Sequence, residues 1–317
     1  MIRRDSQIKY RLTPEQAYEV IKKIRQAIQQ YFRENRLSYA IFGKSEGIDS
    51  SVIAGLLSNL EEVKPIGVIM PCESDPEAER IAKLVLNHFQ IPWIRVDLTQ
   101  EFHFIMSKFY HAEGLYPQLI NALNHYGDSQ TIRNLPLQKA RAAGNIKARL
   151  RMITLYHIAR LVNGIVVSTD NLSEFYMGFW TINGDVGDIC PIQYIFKGLE
   201  EYTIAKALGV PQESLNAIPT DGLDVIPGGT DQDQLGLPYQ DLDRVIIKLL
   251  QNRLEQMPDL KDCNTLFEQI ASELGYSLES ITHVAHQMFN TKFKRNWPRV
   301  ITREEAGLPP IKAINKV

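Results

Sequence analysis

The chain has 317 residues, of which 44% are hydrophobic, 23% charged and 9% aromatic, and its formal net charge is −2. This composition is that of an ordinary globular protein, and it argues against a basic surface for nucleic acid or a polybasic membrane tail. The three cysteines, Cys72, Cys190 and Cys263, are too widely spaced for a disulfide framework or a zinc site. No apolar run reaches the roughly 18 residues of a membrane span, and the N-terminus lacks a signal-peptide core. A cytoplasmic protein is expected.

The first elements along the chain are a helix, a strand and a polar loop. Thr13 followed by Pro14 predicts the start of an amphipathic helix over residues 14–35. The apolar run 39–42 predicts a buried strand, and small polar residues follow it until a helix begins near Ser51. A strand, a small-residue loop and a helix N-terminus together present backbone N–H groups to a phosphate. The spacing is neither that of a Walker A loop nor that of a Rossmann fingerprint.

Alternating strands and helices continue from there. Continuous apolar runs predict strands at 65–70, 92–97 and 164–169, and Ser74-Asp75-Pro76 predicts the start of a helix that runs to about Phe89. The alternation with short connections indicates an α/β fold with a doubly wound parallel sheet flanked by helices.

The remaining segments are assigned from weaker patterns. A short helical excursion and a surface loop are expected over 98–137, because glycines interrupt the helical spacing there. Helices are predicted at 139–161 and 197–208, a long mobile loop at 219–238, and a helical C-terminal extension at 242–257, 266–274 and 278–289. We expect one domain over residues 1–317, with an α/β core at about 38–218 and C-terminal helices at about 242–298.

Polar residues at the ends of the strands indicate a ligand site. Ligands of an open parallel sheet bind outside the carboxyl ends of its strands, where the loop 45–51, Asp97 and the segment 169–174 fall. Asp49 and Glu174 are hard oxygen donors of the kind that Mg²⁺ takes with phosphates. Capping of a helix is the plainer interpretation of Asp49. Lys197 is more suggestive, because a cation at a helix start opposes the helix dipole.

Several ordered blocks of sequence resemble the NAD synthetase family. The loop Ser45-Glu-Gly-Ile-Asp-Ser50 resembles the Ser-Gly-Gly-x-Asp-Ser loop of ATP pyrophosphatases, and further blocks follow in the family's order as far as about residue 298. These blocks are Asn145-Ile-Lys-Ala-Arg-Leu-Arg-Met152, Ser168-Thr-Asp-Asn-x-Ser-Glu174, Gly178-Phe179 to Asp188, Lys197, Ile218-Pro-Thr220, Thr230 to Gly236, and Lys294-Arg295-x-x-Pro298. The fold implied is that of the adenine nucleotide α-hydrolase-like superfamily.

The resemblance implies a role for individual positions. The implied ATP and pyrophosphate site consists of Gly43, Ser45, Gly47, Asp49, Ser50, Ser51, Arg151, Thr169, Lys197 and Thr220. The implied substrate residues are Arg149, Phe179, Asp185, Asp188 and Lys294. Asp49 and Glu174 would hold Mg²⁺, and Asp49, Asp185, Asp188 and Lys197 would take part in catalysis, with Asp188 beside the ammonia position.

The implied activity is ATP-dependent amidation of deamido-NAD (nicotinic acid adenine dinucleotide) by ammonia. The carboxylate attacks the α-phosphate of ATP to give an acyl-adenylate, and ammonia then displaces AMP. A homodimer is implied, as is free ammonia or ammonia from a separate amidase, because only about 37 residues precede the first strand.

Four positions depart from the family pattern, and two of them, Gln232 and Gln234, stand where acids are usual in the mobile loop. Glu46 replaces a glycine, and its carboxylate would repel pyrophosphate unless it points away or Lys44 offsets it. If that position required a positive φ, the glutamate would also be strained. Ile182 replaces a common lysine. Two alternatives therefore stay open: a ligase of the same mechanism for another carboxylate, and a catalytically weak nucleotide-binding relative.

Overall fold

One parallel sheet organises the α/β part of the molecule. The structure is a computed structural model that describes residues 10–223, 225–226 and 228–308. Within these ranges the strands lie in the order β3-β2-β1-β4, and every neighbouring pair is parallel. Their bounds are Tyr39–Gly43 (β1), Lys64–Ile69 (β2), Trp93–Arg95 (β3) and Gly164–Val166 (β4). The predicted doubly wound parallel sheet is confirmed, and its strand order reverses between β1 and β4.

Helices cover both faces of this sheet and continue as a C-terminal bundle. Up to the end of the sheet they are α1 (Pro14–Glu34), α2 (Ile48–Leu57), α3 (Pro76–His88), α4 (Thr99–Tyr110), α5 (Leu115–His125) and α6 (Ser129–Leu161). After β4 come α7 (Leu172–Met177), a π-helix (Lys197–Glu201), α8 (Tyr202–Leu208), α9 (Gln212–Leu215) and α10 (Asp231–Leu235). The bundle consists of α11 (Tyr239–Gln251), α12 (Asn264–Leu274) and α13 (Leu278–Asn290), with short 3₁₀ turns at Leu254–Gln256 and Lys292–Asn296.

The side chains of β1 explain this layering. Ala40 and Phe42 point into a core formed with α1, α2, α3 and α8, whereas Ile41 points to the other face, into a core with α4 and α6. All three are fully buried, as expected for a central strand covered on both sides. A separate cluster joins α7 to the bundle through α11, α12 and α13. The predicted helical C-terminal extension is confirmed.

The prediction for residues 98–137 was right about the presence of helices and wrong about a surface loop after them. This segment contains α4, α5 and the first nine residues of α6, and the long helix predicted from Lys139 begins at Ser129. The Gly127-Asp128-Ser129 sequence, which we took for a loop, is a helix start, because the Asp128 side chain accepts a hydrogen bond from the N–H of Thr131. Pro136 lies inside α6 without ending it.

Three other boundaries differ from the expectation. The helix predicted near Ser51 begins at Ile48, so that Asp49 lies in its first turn. The segment 219–238 is not loop throughout, because Thr230 caps α10 with a capping box to Asp233. The predicted helix 197–208 opens with the π-helix before it becomes α8.

In the part of the chain that the structure describes, no helix combines the length and the apolar character needed to cross a bilayer.

Candidate active site

The candidate site lies where the strand order reverses, between the carboxyl ends of β1 and β4. The loop after β1 leads into α2 with Gly47 as its N-cap, so the backbone N–H groups of the first turn of α2 face this crevice. The segment after β4 leads into α7 through Asn171, whose side chain caps that helix. The Nδ2 group of Asn171 also donates to Asp49 Oδ1 at 2.6 Å. This contact joins the two loops across the switch point.

Lys197 forms the electrostatic centre of the site. Its side chain is only 4% exposed, and Nζ lies 2.8 Å from Asp49 Oδ2 and 3.4 Å from Glu174 Oε1. Burial lowers the pKa of Lys197, but the negative charges around it, Asp49 foremost among the carboxylates, outweigh burial and the net shift is upward. Burial raises the pKa of Glu174, and the charge of Asp49 adds to that shift. The ammonium therefore stays protonated and holds two carboxylates together.

The segment 219–238 contributes residues that sequence reasoning missed. Asp231, in the first turn of α10, is 3.9 Å from Lys197 Nζ and accepts a hydrogen bond of 2.8 Å from the hydroxyl of Tyr239. The Tyr239 ring centroid is 4.4 Å from the same Nζ. Asp231 stood in a quoted motif, but its position in a segment taken for a mobile loop gave no sign that it would be buried. Among the described residues, Asp231 Oδ1 is a buried atom without a hydrogen-bond partner.

The π-helix carries a second buried acid, which sequence reasoning also missed. Glu201 is fully buried, and neither carboxyl oxygen has a hydrogen-bond partner among the described residues. Burial raises the pKa of Glu201 well above its ordinary value, and the charge of Asp49 adds to the effect. Asp243 of α11 accepts hydrogen bonds from the N–H groups of Gly198 and Leu199 at 2.8 and 3.0 Å. Asp243 thereby fixes the start of the π-helix, where Lys197 lies.

Two adjoining cavities meet at the loop after β1. A cavity of about 510 Å³ extends from this loop toward α7 and α13, and one of about 660 Å³ extends toward β2, α3 and α6. The residues that line both are Ser45, Glu46, Ser50, Thr169, Asp185, Thr220 and Asp221. The arrangement can hold two ligands with their reacting ends against each other at this shared boundary.

The structure brings most of the other predicted site residues to these cavities. The first cavity is lined by Gly47, Asp49, Glu174, Phe179, Lys197 and Lys294, and the second by Gly43 and Arg151. Arg151 donates to the carbonyls of Met70 and Gly222, at 3.4 and 3.3 Å, and so ties the segment after Thr220 to the end of β2. Ser51 lies below the loop, fully buried.

Asp188 and Arg149 are not brought into the cavities. Asp188 is exposed and accepts hydrogen bonds from the Tyr156 hydroxyl at 3.0 Å and the Val166 N–H at 2.9 Å. It secures the edge of β4 to α6, because the chain turns between Asp185 and Asp188 and directs them to different sides. Arg149 donates from Nε to the carbonyl of Ile182 at 3.2 Å. The sequence predicts both side chains at the substrate, but neither Asp188 nor Arg149 lines the two described cavities.

Asp185 is the acid that does reach the shared boundary. Its carboxylate accepts a hydrogen bond from the N–H of Thr181. Burial raises the pKa of Asp185, while that hydrogen bond and the charge of Arg151 act in the opposite direction. A carboxylate with a raised pKa, next to the place where two ligands could meet, is suited to the role of a proton acceptor.

The donor set fits Mg²⁺ bound together with phosphates. Asp49 and Glu174 lie within 3.4 Å of one nitrogen, and two carboxylates are what Mg²⁺ commonly takes from a protein when phosphates and water complete its shell. No group of three or more potential ligands occurs among residues 10–223, 225–226 and 228–308, so a cage built from protein alone is not formed there.

Comparisons with a family model and with curated relatives agree with each other. The family model described as NAD synthase matches residues 20–298. The NH(3)-dependent NAD(+) synthetase of Carboxydothermus hydrogenoformans is 32% identical over 230 residues, which cover 72% of this chain and 85% of the relative. That of Methanocaldococcus jannaschii is 32% identical over 283 residues, covering 88% and 95%.

Solved structures show the same fold. The NMN synthetase from Francisella tularensis superposes with a TM-score of 0.64 at 21% identity, covering 91% of this chain and 98% of that one. The NH3-dependent NAD synthetase from Campylobacter jejuni has a TM-score of 0.63 at 19% identity, with 90% and 99% covered. At these identities the structures establish the fold alone.

Proposed function

The chain belongs to the NAD synthase family of ligases, and from that premise we propose that it amidates deamido-NAD with ammonia, using ATP. The observation that carries the proposal is the shared boundary of the two cavities, where Ser45, Thr169 and Asp185 line both. One cavity would take ATP and the other the nicotinate end of deamido-NAD. The nicotinate carboxylate of deamido-NAD would then face the α-phosphate of ATP.

The proposed reaction has two steps. A carboxylate oxygen attacks the α-phosphorus, and the bond to the β-phosphate oxygen breaks as pyrophosphate leaves. Ammonia then attacks the acyl carbon, the bond to the AMP oxygen breaks, and one proton is lost. Asp185 would accept that proton, a role that the sequence resemblance suggests for Asp188; the position of Asp185 at the boundary of both cavities supports this part of the proposal.

The phosphate side of the site depends on the loop after β1 and on Lys197. The N-terminus of α2 would receive the phosphates, and Lys197 would counter the charge of the departing pyrophosphate. Asp49 and Glu174 would hold Mg²⁺, which when bound neutralises phosphate charge. Thr220 and Asp231, which are parts of the segment 219–238, would close over the site and keep water from the activated acyl group.

Product analysis tests the proposal. Purified protein with ATP, Mg²⁺, ammonium and deamido-NAD should release AMP and pyrophosphate in equal amounts with NAD, and omitting any one component should stop all three. Turnover with nicotinic acid mononucleotide but not with deamido-NAD would instead support the second candidate, the same steps on another carboxylate. The absence of a lysine at Ile182 favours that candidate. ATP binding without turnover of either acid would contradict both.

We further propose a homodimer that uses the exposed face of α6. Ile153 and Leu161 of this helix are 67% and 71% exposed, which is unusual for large aliphatic side chains, and at about 100° per residue they lie about 80° apart on one side of it. A supply of free ammonia, or of ammonia from a separate amidase, and the cytoplasmic location stay predictions.

The double variant I153E/L161E tests the dimer. We expect the wild-type protein to have twice the 36.2 kDa mass of the chain in light scattering, and the variant to have the mass of the chain. The variant should keep its helical content, because both side chains are exposed in the protomer. L278E, on α13 at a residue 42% exposed, is the control and should remain dimeric. A wild-type monomer at micromolar concentration would refute the proposal.

A further inference from the structure

Lys44 is a buried lysine at the centre of the loop after β1. Only 4% of the residue is exposed, although the loop around it is open to both cavities. Its Nζ donates to Ser50 Oγ at 3.0 Å, to Ser51 Oγ at 2.8 Å, and to the carbonyl of Ser45. An ammonium group has three N–H donors, and the loop supplies an acceptor for each of them.

These contacts extend into a network that fixes the shape of the loop. Ser51 Oγ is 2.7 Å from Ser214 Oγ, which belongs to α9, and Ser214 donates to the carbonyl of Glu46 at 2.8 Å. Because Nζ donates to the serine oxygens, each hydroxyl directs its own hydrogen elsewhere, and both lie within hydrogen-bond distance of the Gly47 carbonyl, Ser50 Oγ at 3.1 Å and Ser51 Oγ at 2.8 Å. Ser50 also lines both cavities, so its orientation shapes the wall that an anion would meet there. Lys44 thus orients the hydroxyl groups of the loop and anchors the loop to α9.

Glu46 brings a negative charge to the same loop. Its half-buried side chain lines both cavities, and its Oε1 is 3.5 Å from the Thr220 hydroxyl. Glu46 is not among the described non-glycine residues with positive φ, so no backbone strain results from the loss of glycine at this position. Its effect on a phosphate ligand is therefore electrostatic.

The charges of Lys44 and Glu46 act on each other. Burial lowers the pKa of Lys44 to about 7, although the charges of Glu46 and then Asp49 act in the opposite direction. An anion bound at the loop would raise this pKa, because a nearby negative charge favours the ammonium form. Binding of pyrophosphate or of the phosphates of ATP would therefore favour the charged form of Lys44.

We propose that Lys44 is a positioning residue of the pyrophosphate site, whose buried ammonium orients the serine hydroxyls of the loop and offsets the charge of Glu46. The inference rests on the proposed function, because it takes the loop to be the place where pyrophosphate is bound. It makes Lys44 and Glu46 a compensating pair, so that the acid in a phosphate loop does not abolish anion binding.

A calorimetric titration with Mg²⁺-pyrophosphate tests the pair without requiring turnover. K44M removes both the charge and the donors, and K44Q keeps donors but removes the charge. We expect each to weaken pyrophosphate binding by about tenfold or more, since a unit charge close to a buried anion is weakly screened. The loss should shrink to about threefold or less when the same changes are made in an E46G background. K23M, which removes an exposed lysine of α1, is the control and should bind as the wild type does.

The outcomes separate this inference from the proposed function. A pyrophosphate affinity of K44Q within about twofold of the wild type would overturn the inference about Lys44. An equal loss of affinity with and without E46G would overturn it as well. A folded state confirmed by circular dichroism and an unchanged KM for deamido-NAD are expected for both Lys44 variants. If the wild type forms no NAD but its pyrophosphate binding still depends on Lys44, the proposed function fails and the present inference stands.

Discussion

Replacing Asp49 with asparagine should lower kcat/KM by about 10³-fold while leaving the fold intact. The substitution preserves the shape of the side chain, but its single amide oxygen can accept from Asn171 or from Lys197 and not from both. It removes one of the two carboxylates that would hold Mg²⁺ against the phosphates of ATP. Steady-state release of AMP at several Mg²⁺ concentrations measures the effect, and the Mg²⁺ dependence should shift to higher concentration.

Asp188→Asn is the matched control for that experiment. The sequence motif placed Asp188 at the site, but the structure has it bonded to Tyr156 and to the backbone of Val166. We expect kcat/KM within about threefold of the wild type and a loss of about 1 kcal/mol in the free energy of unfolding. If D188N abolished turnover and D49N did not, the site described above would be misplaced.

Lys197→Met should have the largest effect on stability as well as removing activity. Asp49, Glu174 and Asp231 would then share a buried space without their cation. Breaking a buried ion pair by removing one partner costs about 3–5 kcal/mol. Urea unfolding at pH 8 measures this loss. The control K248M removes a partly exposed ion pair with Glu273 and should cost less than about 1 kcal/mol.

The loss in K197M should depend on pH in a defined direction. Burial raises the pKa of Glu174 and of Asp231 in the folded protein. When the pKa of a carboxyl group is higher in the folded protein than in the unfolded chain, the folded protein binds more protons at pH values between the two. The free energy of unfolding therefore falls as the pH rises from the unfolded pKa through the folded one. The charge of Lys197 opposes the rise in both pKa values, so its removal raises them further, and the deficit of K197M should be smaller at pH 5 than at pH 8. A deficit that is the same at both values, or below about 1 kcal/mol, would contradict the assignment of Lys197 as the shared cation.

The α/β architecture could be predicted because it depends on sequence patterns within single segments. Continuous apolar runs identified β1, β2 and β4, because strands covered on both faces need apolar residues throughout. The segment 98–137 was misjudged because Gly127 and Asp128 are typical of loops and of helix starts alike. Which of these forms depends on whether the following residues find a surface to pack on, and α6 packs on the sheet.

The site was predictable only in part, for a similar reason. Asp49 and Glu174 lie in the first turns of the helices that follow β1 and β4, so the sheet dictates where they lie. Lys197 was a candidate site residue because a cation at a helix start opposes the helix dipole, and the structure shows its acidic partners. Asp231 and Glu201 come from elements whose packing depends on the whole fold, and no local signal marks them as buried. Asp188 was predicted at the substrate together with Asp185, and of the two only Asp185 lines the cavities, a difference that three residues of sequence separation do not reveal.

An isotope-transfer experiment tests the central claim most directly. Deamido-NAD labelled with ¹⁸O in its nicotinate carboxylate should transfer one labelled oxygen to AMP during turnover with ATP and ammonia. This result is required if the carboxylate attacks the α-phosphorus at the boundary of the two cavities. Label in inorganic phosphate with release of ADP, or AMP without any label, would contradict the account.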